Sequence, residues 1–168
     1  LQYNAYVTNL NSNENEQPWY SIKNQLEEII FETTVTSVGD YAFTNCESIT
    51  TITWNNIKTI GSHSFEGCIG IQSLPLQSVT TIGDNAFSYC TNLETITIPT
   101  SVYSIGMGVF YNSPSLRQIF YTGTIENWNN IEIERMENDN LFFANIVYNY
   151  HEHNYEVKIL IDITWPTP

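Results

Sequence analysis

Apolar residues return along this chain at a fixed period, and they return in several rows at once. Four segments align: Val38-Gly39-Asp40-Tyr41-Ala42-Phe43-Thr44-Asn45-Cys46, Ile60-Gly61-Ser62-His63-Ser64-Phe65-Glu66-Gly67-Cys68, Ile82-Gly83-Asp84-Asn85-Ala86-Phe87-Ser88-Tyr89-Cys90 and Ile105-Gly106-Met107-Gly108-Val109-Phe110-Tyr111-Asn112-Ser113. The steps between them are 22, 22 and 23 residues. Further rows follow each segment: Leu26, Ile49, Ile71, Leu93 and Leu116; then Ile29, Ile52, Leu74, Ile96 and Ile119; then Phe31, Trp54, Leu76, Ile98 and Tyr121. Val35, Ile57, Val79 and Val102 close each unit before the next Gly. Within a unit, Ile96-Thr97-Ile98 alternates inward, outward, inward, which predicts a strand with one buried face. Leu26 and Phe31 extend two rows upstream, so a fifth, degenerate unit precedes the obvious four.

A period of 20–29 residues with apolar side chains at fixed offsets is the leucine-rich-repeat signature. It predicts a strand-rich α/β solenoid with coils of 22–23 residues. One coil cannot cover its own inward face, so stability requires stacked neighbours. The recurring Gly39, Gly61, Gly83 and Gly106 mark a backbone with positive φ or too little room for a Cβ. The Ala-Phe or Ser-Phe pairs that follow predict a short helical turn that drops Phe into the core, with the preceding Asp or Ser as its N-cap. Residues 1–25 read as an N-terminal cap, with Asn11 to Gln17 as a loop and Pro18-Trp19 covering the first coil. Residues 26–121 form the solenoid of about five coils. Residues 122–150 read as a C-terminal cap around Trp128, Ile131 and the run Leu141 to Tyr148. Residues 151–168 read as a tail or linker, with Ile159-Leu160-Ile161 as an extra strand.

The motif Ile-Gly-x-x-Ala-Phe-x-x-Cys-x-x-Leu-x-x-Ile-x-Ile-Pro, almost complete over residues 82–99, resembles that of the BspA-like leucine-rich-repeat family. Residues 38–52, 60–74 and 105–119 carry most of it. Pro18-Trp19 resembles the family's opening segment. Tyr121-Thr122-Gly123-Thr124 with Trp128, Asn129, Ile131, Asn140, Leu141, Ala144, Ile146 and Tyr148 resembles its closing one. The departures are Ser64 and Val109 in place of Ala, Ser113 in place of Cys, and the absence of Pro99 equivalents in the other coils. The resemblance implies a right-handed parallel solenoid of bacterial surface or secreted proteins, similar to adhesins that engage host matrix proteins or other cells.

Composition narrows the function. Charged residues are 14% of the 168 and the net charge is −13, with five Lys and Arg in all. Those five cannot build the basic face that a nucleic acid requires, and an anionic membrane surface is disfavoured for the same reason. No run approaches the ~18 apolar residues of a membrane span. The first residue is Leu1 and no signal peptide is evident, so the chain reads as a mature or excised fragment whose address has been cut away. The Asn residues form no Asn-x-Ser/Thr acceptor, which fits a bacterial source.

Candidate chemistry is sparse. Cys46, Cys68 and Cys90 recur every 22 residues, which stacks them in a straight ladder at about 4.8 Å per coil. A ladder does not converge as a tetrahedral metal site must, so the thiols read as buried and unreactive. Ser113 in the same row suggests that the position asks only for a small side chain. His151-Glu152-His153 offers two imidazoles on one strand face but no third ligand. His63 falls in a variable, exposed slot. Glu126, Glu132, Glu134, Glu137 and Asp139 read as a solvated acidic face, because they lack the spacing of a calcium loop. With no phosphate loop, nucleophile elbow or His-Glu-x-x-His, the chain reads as non-catalytic, without cofactor or metal.

The informative surface is the outward strand row: Thr51 and Thr53, Ser73 and Pro75, Thr95 and Thr97, Gln118 and Phe120. It is an uncharged, mostly hydroxyl ribbon ending in one aromatic, on the concave side that such solenoids present to partners. The expected function is a protein-binding, adhesin-like module outside the cell or on its surface, engaging a host matrix or cell-surface protein. The alternative is a structural spacer or interaction domain within a larger surface protein. Exposed threonine is also what any solvated strand prefers.

Overall fold

The computed structural model describes residues 20–150. Asn11 to Gln17, Pro18-Trp19, His151-Glu152-His153 and the strand expected at residues 159–161 lie outside the described residues. A 3-10 helix, Tyr20–Gln25, leads into strands β1 (Glu28–Ile30), β2 (Ser37–Val38), β3 (Thr51–Thr53), β4 (Thr59–Ile60), β5 (Ser73–Pro75), β6 (Thr81–Ile82), β7 (Thr95–Ile98), β8 (Ser104–Ile105) and β9 (Gln118–Tyr121). Then follow α1 (Ile125–Asn129), β10 (Glu132–Ile133), α2 (Asp139–Phe143) and β11 (Asn145–Val147). Odd-numbered strands line one face and even-numbered strands another, all in parallel pairs.

The sequence rows become physical columns. Leu74, Ile96, Ile119 and Ile146 face one another in register, as do Val38, Ile60, Ile82, Ile105 and Ile133. Inside, Phe43, Phe65, Phe87 and Phe110 stack with ring centroids 5.2, 5.4 and 6.0 Å apart and planes tilted by no more than 14°. Those spacings lie close to the ~4.8 Å between paired strands, so ring column and strand ladder share one repeat.

Phe does enter the core as expected, but not through a helical turn. The N–H groups of Tyr41, Phe43 and Asn45 donate to the carbonyls of Ser62, Ser64 and Glu66 one coil on. Those of Ala42, Thr44 and Cys46 bond back to Gly39, Tyr41 and Phe43. The alternation arises because each coil carries two left-handed residues. Tyr41, His63 and Asn85 have φ of 57°, 56° and 53°, and Asn45, Tyr89 and Asn112 have φ of 57°, 56° and 52°. Left-handed backbone cannot propagate a right-handed helix. Here it aims every second N–H along the solenoid axis. The expected N-cap is likewise an inter-coil link: Asp40 Oδ1 accepts from the Ser62 N–H and Asp84 Oδ1 from the Met107 N–H, both at 2.8 Å.

Of the two explanations for the glycine row, lack of room is the right one at Gly61, Gly83 and Gly106. A Cβ on Gly83 would lie 2.6 Å from the Ser62 nitrogen and 2.8 Å from the Gly61 carbonyl carbon.

The same inter-coil logic accounts for the wealth of Asn, Ser and Thr. Thr50, Thr80, Ser101 and Ser115 donate to the carbonyls of Glu27, Lys58, Val79 and Thr91, each one coil earlier. Asn56 and Asn92 do the same to Thr33 and Ile69. Ser64 breaks the pattern: it is fully buried in the column of Ala42 and Ala86, and its hydroxyl has no partner. Burying an unpaired hydroxyl costs about 1–3 kcal/mol. Ser64→Ala is therefore expected to raise the unfolding free energy by about 1 kcal/mol in denaturant titration. An unchanged or lowered midpoint would show that the hydroxyl is satisfied in solution.

The odd-strand face is split, because no backbone bond joins β3 to β5. In the intact pairs the first strand residue donates one coil back, as Thr51 does to Glu27 and Thr95 to Gln72. The parallel alternation puts the next such donor two residues on, where Pro75 stands without an N–H. Ile52, opposite this gap, is only half-buried, whereas Ile29, Leu74, Ile96 and Ile119 in its row are buried.

Beyond Tyr121 the sequence register is lost, yet the ladders continue. β10 pairs with β8 and β11 with β9. The step lengthens to 28 residues (Ser104 to Glu132) and 27 residues (Gln118 to Asn145), with α1 and α2 accommodated in it. Trp128, Ile131 and Leu141 are buried at this end of the core.

Candidate functional site

The odd-strand face carries two outward columns. The first runs Glu28, Thr51, Ser73, Thr95, Gln118, Asn145, and the second Ile30, Thr53, Pro75, Thr97, Phe120, Val147. The structure brings all the residues expected there onto one surface and adds Glu28, Ile30, Asn145 and Val147, which the sequence reading missed. Their signals were the degenerate first coil and the stretched last step. The second column is more apolar than the predicted hydroxyl ribbon, since only Thr53 and Thr97 among its six members bear a hydroxyl.

The ribbon hydroxyls are unspent, as are those of Thr59 and Thr81 on the even-strand face. Among the described residues, Thr51, Thr53, Ser73, Thr95 and Thr97 make no side-chain hydrogen bond, whereas the neighbouring Thr50 is consumed by the Glu27 carbonyl. Gln118 is tied down: its Nε2 donates to the Asn145 carbonyl at 2.9 Å, and Asn145 Nδ2 donates to its Oε1 at 3.0 Å. Phe120 is half-buried against Tyr150, with ring centroids 4.3 Å apart. Beside this pair lies a hollow of about 180 Å³ lined by Pro75, Leu76, Gln77, Thr97, Pro99, Thr122 and Tyr150. Its lining mixes the apolar Pro75, Leu76 and Pro99 with the hydroxyl and amide side chains of Thr97, Thr122, Tyr150 and Gln77.

A second outward column, Ser37, Thr59, Thr81, Ser104 and Glu132, runs along the even-strand face. The sequence reading passed over it because each even strand is two residues long. It borders an open groove with Asp40, Ser62 and Asp84 on the glycine ledge.

Among the described residues the titratable groups are spread along the solenoid. Cys46, Cys68 and Cys90 are buried and unbridged. Burial pushes the Cys46 and Cys90 thiols up to about 12 and raises that of Cys68 as well, so all three stay protonated at neutral pH. The position asks for more than small size. Cys68, Cys90 and Ser113 donate in turn to the carbonyls of Phe43, Phe65 and Phe87. His63 is half-buried rather than exposed. It stacks on Tyr41 with centroids 4.7 Å apart, and its Nδ1 lies 2.5 Å from Glu66 Oε2. Glu126, Glu132, Glu134, Glu137 and Asp139 are all exposed. The Thr124 hydroxyl and the backbone N–H at the start of α1 hold the Glu126 carboxyl below its usual range. Among the described residues no three His, Cys, Asp or Glu side chains converge as metal ligands would. None of the helices there is long and apolar enough to cross a membrane.

Stacked parallel coils, a ring column and inter-coil ladders define a leucine-rich-repeat solenoid. The BspA-type leucine-rich-repeat family matches residues 16–137 in six copies, and the chain belongs to that family. A leucine-rich cell surface protein from Faecalibacterium prausnitzii is similar at 35% identity and TM-score 0.61, over 64% of this chain and 29% of that one. A leucine-rich-repeat protein from Bacteroides ovatus shares the fold at 24% identity and TM-score 0.59, over 74% of this chain and 30% of that one. The leucine-rich-repeat protein of T. pallidum matches at 25% identity and TM-score 0.55, over 58% of this chain and 46% of that one. The chain thus spans less than half the length of each of the three. No curated protein matches it. Solenoids of this kind are typically non-catalytic and serve as protein-interaction modules.

Proposed function

We propose that the chain is a non-catalytic, adhesin-like binding module of a bacterial cell-surface or secreted protein, contacting host matrix or cell-surface proteins through its odd-strand face. The observation that carries this reading is a row of unspent hydroxyls lying beside an apolar column, Ile30, Pro75, Phe120 and Val147. The adjacent Thr50 hydroxyl is spent on an inter-coil carbonyl, while Thr51, Thr53, Ser73, Thr95 and Thr97, like Thr59 and Thr81 on the even-strand face, make no side-chain hydrogen bond. The adjoining apolar column supplies the desolvatable area that protein contacts need. Surface plasmon resonance against purified matrix and host-surface proteins tests it. Thr95→Asp and Thr97→Asp are each expected to weaken a captured partner at least tenfold, while Thr59→Asp on the even-strand face leaves it unchanged. The reverse pattern would move the contact to the other face.

The second reading, a structural spacer or interaction domain within a larger surface protein, is supported by the coverage of 29% to 46% of the three similar chains. It predicts no partner that responds to substitution on either face.

A further inference from the structure

We infer that the hollow beside Tyr150 is an anchor pocket for one ring side chain of a basic, extended polypeptide, whose cationic residues lie toward the first coil. This rests on the reading of the odd-strand face as the contact surface, and it adds the chemistry of the partner.

Size sets the first limit. Sites for drug-sized ligands run to about 300–1,000 Å³, and a hollow of about 180 Å³ holds a single side chain. Lining sets the second. Pro75, Leu76, Pro99 and the Tyr150 ring offer flat apolar walls, with Phe120 packed behind Tyr150. Of the polar groups, the Thr122 hydroxyl already accepts from the Thr100 N–H at 3.0 Å, and the others in the lining are those of Gln77, Thr97 and Tyr150. An aromatic side chain fills such a pocket as binding hot spots do, and a sugar ring is the competing occupant that the test separates.

Charge sets the third. The chain carries −13 overall, and exposed Glu27 and Glu28 stand on the first coil at the far end of the same ribbon. On that coil's approach Lys23 is engaged over the Tyr20 ring. From β5, the near edge of the hollow, to β1 is two coils, at least about 10 Å because β3 and β5 are not paired. An extended polypeptide covers that in about three residues. The partner chemistry that fits is a ring residue with Lys or Arg three or four positions away, laid along the solenoid axis.

The test uses the full chain and three synthetic nonapeptides. The first has a central phenylalanine, two serines on either side and paired lysines at both ends. The second replaces the lysines by glutamates, and the third replaces the phenylalanine by alanine. Nitrogen-15 NMR titration at low salt is expected to move the amides of Gln77, Thr97, Thr122 and Tyr150 with the first peptide. The glutamate and alanine peptides should each bind at least tenfold more weakly. Thr97→Phe and Gln77→Phe, which crowd the hollow from two sides, should each weaken the first peptide tenfold while the rest of the spectrum stays in place. Equal binding of the alanine peptide, equal binding of the glutamate peptide, or maltotriose moving these amides where the first peptide does not would overturn the inference. The peptides probe the hollow without a natural partner. Their binding alongside a captured protein indifferent to Thr95→Asp would leave the pocket standing and remove the wider reading.

Discussion

Phe87→Ala is expected to lower the unfolding free energy by about 3–5 kcal/mol, the cost of truncating a fully buried phenylalanine. Phe87 is the residue to test because it sits inside the column: Phe65 stacks on one side at 5.4 Å, Phe110 on the other at 6.0 Å, and Trp54 meets it edge-on at 6.3 Å. Each aromatic pair adds about 0.5–1.5 kcal/mol beyond burial, which places the loss toward the upper end of that range. A solenoid is close to one-dimensional, and stability passes between coils only through neighbours. The vacancy lies between coils on both sides, so the denaturant slope should fall as well, because the two parts begin to unfold separately. Urea titration with fluorescence and circular dichroism reads both quantities. A loss under about 1 kcal/mol with an unchanged slope would mean that the column does not hold the stack together.

That column was legible from the sequence because burial acts on each inward position alone: one apolar residue per coil, at one offset, repeated. Features that depend on what the next coil does were not legible. Asp40 looks like a helix cap until the Ser62 N–H is seen beside its carboxylate. Ser-Phe and Ala-Phe look helical until Tyr41 and Asn45 turn left-handed on either side. The continuation into β10 and β11 was hidden because α1 and α2 stretch the step, while the ladder needs only the strands to arrive in register. Of the candidate surface, the central residues Thr51 to Phe120 could be read from alternation. The hollow could not, since one wall is Tyr150, far outside the repeats. The free state of the ribbon hydroxyls was equally invisible. Thr50 and Thr51 are adjacent and identical in kind, and only the position of the Glu27 carbonyl separates a spent hydroxyl from an available one.

The cysteine ladder leads to the other large effect, a loss of stability in alkali. The Cys46 and Cys90 thiols are raised from 9.0 to about 12, chiefly because burial penalises the thiolate, and Cys68 is raised for the same reason with its neighbouring thiols adding. Below pH 9 the thiols are protonated both folded and unfolded, and their contribution to stability is fully present. Above pH 9 the unfolded chain releases protons that the folded chain retains, so rising pH favours unfolding until the folded thiols themselves ionise near 12. Each thiol then contributes a slope of about 1.4 kcal/mol per pH unit. By pH 10.5 Cys46 and Cys90 together cost about 4 kcal/mol, a large share of the ~5–15 kcal/mol of an ordinary domain. Burial raises the Tyr121 hydroxyl too, which adds loss of the same sign that is independent of sulfur. The measurement is therefore a difference. Urea titrations from pH 8 to 10.5 on the native chain and on a C46S/C68S/C90S variant should diverge steadily, with the variant much flatter. Serine suits the control because Ser113 already makes the row's hydrogen bond, donating to the Phe87 carbonyl. Parallel profiles would mean that the thiols ionise as readily in the folded protein as out of it, and that the ladder is open to water.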